Sequence, residues 1–186
     1  MIETVLLCHC APTLAGLKMG NLFSYFNTDD TYVETQIAIY NSLFENKDLK
    51  MLLLQKKQDR SLVLVYRPKM VAQYLQQGRV KQFLLELGYP SCISHEALQH
   101  LSVRLHSEKD FPHEVGIFLG YPFEDVCSFI RNKGCNGLCD GCWKVYSNVA
   151  SAQKKFMQFK KCTAIYQKHY AKGRKLQDLA VRRMEI

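Results

Sequence analysis

The chain has no run of about 18 apolar residues, so nothing in it reads as a membrane-spanning helix. Five prolines and ten glycines in 186 residues, with no low-complexity tract or internal repeat, argue against a disordered or repetitive chain. The opening Met1-Ile-Glu-Thr-Val-Leu-Leu-Cys-His-Cys10 lacks the basic segment and small-residue cleavage site of a secretory signal, so the expected compartment is the cytoplasm. A Gly-rich phosphate loop, a dinucleotide fingerprint, a serine elbow and an HExxH motif are all missing. Acidic residues are scarce in one place only. Residues 148–186 hold Asp178 and Glu185 against ten Lys and Arg, whereas residues 1–147 are balanced, so the net charge of +8 belongs to the C-terminal segment. Such asymmetry suits an acidic partner, a nucleic acid or a membrane surface, or simply a solvated helix face.

What is present is enough for a core: 47% of the residues are hydrophobic. One domain over 1–186 is expected, with 148–186 a basic helical segment packed on it. Val33, Ile37, Tyr40 and Phe44 share one face of a helix over 31–46, opened by the capping-box pattern Thr31-x-x-Glu34. Leu62-Val-Leu-Val-Tyr66 reads as a strand buried on both faces. Pro68 opens a helical region interrupted at Gly78 and stopped at Gly88, and Ser94 can cap another. Val115–Leu119 reads as a second buried strand, Pro122 as the start of a helix ending at Gly134, and Trp143–Tyr146 as a third strand. A long amphipathic helix follows, carrying Val149, Ala152, Phe156, Phe159, Tyr166 and Tyr170 inward and stopped by Gly173. The N-terminal stretch is ambiguous, with 3–10 helical or 13–18 extended. The expected class is α/β: a small, mostly buried sheet of three or four strands packed with helices and a long basic C-terminal helix.

Eight cysteines are many for a chain in a reducing compartment, where a disulfide framework is not expected. Cys92, Cys127 and Cys162 fit helical patterns as small hydrophobes. Cys135-Asn-Gly-Leu-Cys139-Asp-Gly-Cys142 does not: its C-x3-C-x2-C spacing can direct thiolates onto zinc, iron or an iron–sulfur cluster, with His9, Cys10 or His113 as a further ligand. The spacing resembles the cluster motif of radical S-adenosylmethionine enzymes over eight residues, but those need a large partial barrel after it and only 44 residues follow Cys142. A Gly-rich turn with incidental thiols, or a redox-sensitive Cys139/Cys142 pair, would look the same. Cys10, beside His9 and before Pro12, is a candidate nucleophile or a packed residue. His113 is a candidate base oriented by Glu114, or a ligand, or a structural group. Lys18, after an apolar run, can hold an anionic substrate or end a strand in water.

The segments His9-Cys-Ala-Pro-Thr-Leu-Ala-Gly-Leu-Lys18, Leu64-Val-Tyr-Arg67, Phe111-Pro-His-Glu-Val-Gly-Ile-Phe-Leu-Gly-Tyr-Pro-Phe-Glu-Asp-Val126 and Trp143-Lys-Val-Tyr146 together resemble a bacterial domain-of-unknown-function family encountered mainly in anaerobes. The resemblance implies a stand-alone cytosolic protein of about this length with no established activity. It leans toward redox or iron chemistry and a redox- or iron-related protein partner, because relatives are encoded near flavodoxin-like and iron-transport functions. In that family a single Cys-Gly-aromatic step precedes Trp-Lys-Val-Tyr. The extra cysteines here therefore read as an elaboration, and weight moves to His9, Cys10, Lys18, His113 and Glu114.

Three functions follow as expectations. The first is a metal-handling or redox protein using His9, Cys10, His113, Cys135, Cys139 and Cys142. The second is an enzyme with Cys10 as nucleophile, His113 and Glu114 as base and orienter, and Lys18 on the substrate. The third is an adaptor docking through the basic C-terminal helix to an acidic protein. Nucleic acid is disfavoured there, because Phe156, Phe159 and Tyr166 read as core rather than as exposed stacking platforms.

Overall fold

Among the described strands Arg60–Tyr66 (β3) alone is buried almost throughout, and the fold is built around it. In the computed structural model, which describes residues 2–26, 31–107 and 110–182, β3 is central in an antiparallel sheet. Gly20–Phe26 (β1) lies on one side of it and Lys50–Lys57 (β2) on the other. Alternation then sorts the side chains. Leu62 and Leu64 face a core shared with Val71, Leu84, Leu101 and Phe118, whereas Val63 and Val65 face Leu6, Leu14, Tyr40 and Phe44. A strand buried on both faces needs helices on both, and this sheet has them.

The second of those faces is covered by Ile2–Leu14 (α1), Tyr32–Leu43 (α2) and Leu176–Leu179 (α9). The first is covered by Pro68–Leu75 (α3), Gly78–Glu86 (α4), Ser94–Ser107 (α5) and the short pair Val115–Phe118 (α6) and Phe123–Arg131 (α7). A two-residue ladder, Cys139–Asp140 (β4) against Lys144–Val145 (β5), forms a separate hairpin. Val149–Ala171 (α8) follows, capped by the Asn148 side chain, which accepts from the Ser151 backbone N–H, and ended at Gly173. It packs along α1 and turns its lysines outward. Glu3 ties both helices to α2, accepting from Tyr40 at 2.8 Å and Tyr170 at 2.6 Å.

The mixed α/β class is as expected, but the strands are not all where the apolar runs lie. Val115–Leu119 is a turn of helix, its backbone bonds closing locally from Val115 N–H to Pro112 and from Leu119 N–H to Val115. A short apolar run between Pro112 and Gly120 fits a buried helix as well as a strand, and apolarity does not separate the two. Trp143–Tyr146 contributes only Lys144 and Val145, outside the main sheet. The 13–18 strand is instead the end of α1 and a turn. Thr31 stands at the N-cap of α2 without the expected side-chain capping bond. Arg183 and Glu185 of the basic tail lie outside the described residues.

Arg67, at the end of β3, is completely buried. Its guanidinium donates to the carbonyls of Thr13 (2.9 Å), Leu14 (2.8 Å), Lys47 (3.0 Å) and Val181 (3.0 Å). A cation on the last carbonyls of α1 also complements the negative end of that helix. Arg67→Met should cost roughly 3–5 kcal/mol, because four carbonyls, two of them in fully buried bonds, lose a charged donor. Urea unfolding measures this, and a loss below about 1 kcal/mol would mean that those carbonyls find other donors.

Candidate functional site

The residues singled out from the sequence separate in space. Cys10 is fully buried in α1, and desolvation drives its thiol pKa far up, with Lys18 only partly opposing. That environment keeps the thiol neutral and opposes the nucleophile role expected of it. His9, next to it, is exposed. Glu114 is buried, accepting from Arg104 Nε at 2.7 Å and from the Tyr89 hydroxyl at 3.1 Å. Its carboxylate thus anchors α5 and the segment after α4. His113 is exposed and packs its ring edge-on to Phe129 at 4.8 Å.

Cys135, Cys139 and Cys142 are free thiols along the hairpin. Among the described residues no group of three or more His, Cys, Asp or Glu is placed to hold a metal ion, so the six expected ligands do not converge. The loop glycines have another role. A Cβ on Gly137 would lie 2.5 Å from Lys144 Cγ, and one on Gly141 only 2.1 Å from the Phe156 ring. They let the backbone lie against β5 and α8.

Asp125, which sequence reasoning passed over, holds this hairpin in place. Its buried carboxylate accepts from Trp143 Nε1 (2.8 Å), the Tyr146 backbone N–H (2.9 Å) and Ser147 Oγ (2.9 Å). The indole then stacks on Tyr121 (5.4 Å, 30°) and meets the Phe156 ring edge-on (4.5 Å, 75°). The only available signal was that Asp125 falls within the long 111–126 motif.

Lys18 is the one expected site residue that sits where a ligand could reach it and where its charge is not answered. α1 ends at Leu14, where the Pro12 carbonyl accepts from both Leu17 and Lys18 N–H (2.9 and 3.1 Å) and Arg67 grips the carbonyls of Thr13 and Leu14. This turn sends Lys18 inward, where it is 7% exposed. Among the described residues its ammonium meets no carboxylate and no hydrogen-bond acceptor; it lies 5.1 Å from the Tyr121 ring centroid. Burial lowers its pKa to about 8, opposed more weakly by the thiols of Cys142 and Cys10.

Two open lobes meet at Lys18, Tyr121 and Phe159. One, of about 470 Å³, is lined further by Gln73, Gln77, Lys155 and Gln158. The other, of about 570 Å³, is lined by His9, Asn21, Cys142, Lys160 and Thr163. Among the described residues no Asp or Glu lines either lobe. A smaller cavity of about 180 Å³ lies on the far side of Tyr121, between His113 and Cys142. The structure therefore brings together Lys18, His9 and Cys142, and places His113 beside Cys142 rather than Cys10. Burial within the Lys18 cavity raises the Cys142 thiol pKa, with Lys18 pulling it back down.

A mixed α/β fold with a lysine-centred cleft, to which no described residue contributes a carboxylate, is thus what the fold and the site define. The chain belongs to the family described as protein of unknown function (DUF3793), which it matches over residues 6–180. Neither a curated protein nor a solved structure matches the chain.

Two outcomes follow from this geometry. Gly141→Ala should lower the thermal midpoint by several degrees, consistent with overpacking of about 1–3 kcal/mol, and Phe156→Ala should recover part of it. Additive losses would show that the two sites do not touch. For Lys18 the unfolded chain holds its proton up to an ordinary lysine pKa, while the folded chain releases it near 8. Between these values the unfolded state binds more protons, so stability rises with pH across that window. Lys18→Met should accordingly stabilise the protein at pH 7, by about 1–3 kcal/mol in urea unfolding, and flatten that rise. A destabilised Lys18→Met would contradict the uncompensated charge.

Proposed function

We propose that this protein binds a small organic anion in the two-lobed cleft, with the Lys18 ammonium as its counter-charge. The observation that carries this reading is Lys18 itself: more than nine-tenths buried, unanswered by any described acidic group, and lining both lobes. Desolvating an ammonium is costly, and an incoming anion offsets that cost at the place where it arises. Lys155 and Lys160 at the lobes, with no acidic side chain among the described residues that line them, add a positive potential that draws anions and repels cations. Aromatic walls and polar amides make it a ligand site rather than a bare ion trap.

A second reading, thiol chemistry on the bound anion, is favoured by one observation. Cys142 lines the Lys18 lobe and also the cavity that holds His113. In this reading Cys142 takes the nucleophile or redox role first expected of Cys10, and a nearby redox partner would act on an accessible thiol. A resident metal or iron–sulfur centre has less support, because its expected ligands lie apart. The exposed lysines of α8 remain available to an acidic protein partner, and the cytoplasm is the setting that best suits eight free thiols.

Calorimetric titration with pyrophosphate and citrate at low ionic strength tests the main reading. Binding should be strongest below pH 8 and weaken as pH rises through that value, because the ammonium is lost there. Lys18→Met should weaken binding tenfold or more. Unchanged affinity in Lys18→Met would overturn the proposal.

A further inference from the structure

The shape and side-chain chemistry of the two lobes differ, and the difference indicates what kind of anion they take. We infer that the ligand is a nucleoside polyphosphate, its base in the glutamine-lined lobe and its phosphates running past Lys18 into the other. This rests on the anion-binding reading above and names the ligand class for the same site.

Lys18 stands at the junction of the lobes, not at the end of either. A ligand that fills both must therefore carry negative charge near its middle. Beyond Lys18, the second lobe adds Lys160 and His9 as donors, with Asn21 and Thr163 beside them. Asn21 Oδ1 already accepts from the Thr13 hydroxyl, which leaves its NH2 group to face an acceptor such as a phosphate oxygen. A single small anion would be satisfied at Lys18 and would leave these groups idle; a chain of two or more phosphates would use them.

The first lobe is built for a flat, polar-edged group. Tyr121 and Phe159 provide ring surface at the junction, and stacking a base on an aromatic ring is worth about 1–3 kcal/mol. Gln73 comes from α3, Gln77 from the α3–α4 connection and Gln158 from α8, so the carboxamides of this lobe come from more than one element. Among the described residues none of the three spends its carboxamide on a hydrogen bond. Each carries a donor and an acceptor side by side, the pairing that a heterocycle edge presents in return. That no described Asp or Glu lines either lobe bears on magnesium as well. Magnesium in nucleotide sites is commonly held by one or two carboxylates together with the phosphates. Here lysines take its place, so binding proceeds without a divalent cation.

The test is calorimetric titration of the full chain, in EDTA, with ADP, GDP and UDP against AMP and inorganic pyrophosphate, with the sole tryptophan, Trp143, as a fluorescent reporter in the base lobe. At least one nucleoside diphosphate should bind tenfold or more tighter than both AMP and pyrophosphate. The exposed-residue variant Gln77→Ala/Gln158→Ala should lose most of that advantage while keeping pyrophosphate affinity, and Lys18→Met should weaken both. If the diphosphates bind no tighter than pyrophosphate, and all depend on Lys18, the nucleotide inference fails and the anion cleft stands. If EDTA abolishes nucleotide binding, the metal-free site is wrong. If no anion responds to Lys18→Met, the inference and the anion-binding reading fall together.

Discussion

The grip of Arg67 on four backbone carbonyls is the interaction on which the rest of the structure depends. It sits at the end of the central strand and reaches the end of α1, the turn before β2 and the segment after α9. Those three stretches are distant in sequence, and without Arg67 the Thr13 and Leu14 carbonyls would lose their buried partner. By closing the end of α1 it also fixes the turn over Pro12. That turn carries Lys18 inward instead of leaving it on the surface, where an unpaired lysine would be unremarkable. A structural cation thus positions a second cation that, among the described residues, meets no acidic group.

The two cations solve opposite problems. Arg67 is buried and surrounded by acceptors, so its charge is spread over polar partners. Lys18 is buried beside aromatic rings and thiols, and its environment favours the neutral amine. Folding tolerates that cost because the sheet and its helices hold the turn independently of Lys18. The hairpin held by Asp125 completes the wall, since Trp143, Tyr121 and Phe156 form one packed aromatic group facing the cleft. Stability and site are therefore separable: Arg67 and Asp125 build the cleft, and Lys18 is what the cleft is built around.

The central strand, the helices opened by Pro68 and Pro122 and the long α8 were legible because their patterns are strong and local. The edge strands were not. β1 and β2 alternate only loosely and are recognisable mainly through pairing with β3, which no local window contains. Val115–Leu119 was misread because burial, not backbone preference, dictates its composition. The same limit governs the site. Lys18 was identifiable as an apolar-context lysine, but its lack of a partner is a property of tertiary packing. The cysteine spacing invited a metal, yet Gly137 and Gly141 are explained by Lys144 and Phe156, far along the chain or across the hairpin. Asp125, the group that orders the hairpin, looked like an ordinary first-turn acid at a helix start.

The central claim is that Lys18 carries a buried charge, unmet by any described acidic group, that an anion would complement. The most direct measurement is an NMR pH titration of the lysine side-chain carbons adjacent to the amine, with Lys18→Met supplying the assignment. The account predicts one lysine titrating near pH 8, absent in the variant, whose midpoint moves upward when pyrophosphate is added. If every lysine titrates at the ordinary value for an exposed amine, with and without the anion, the account is wrong.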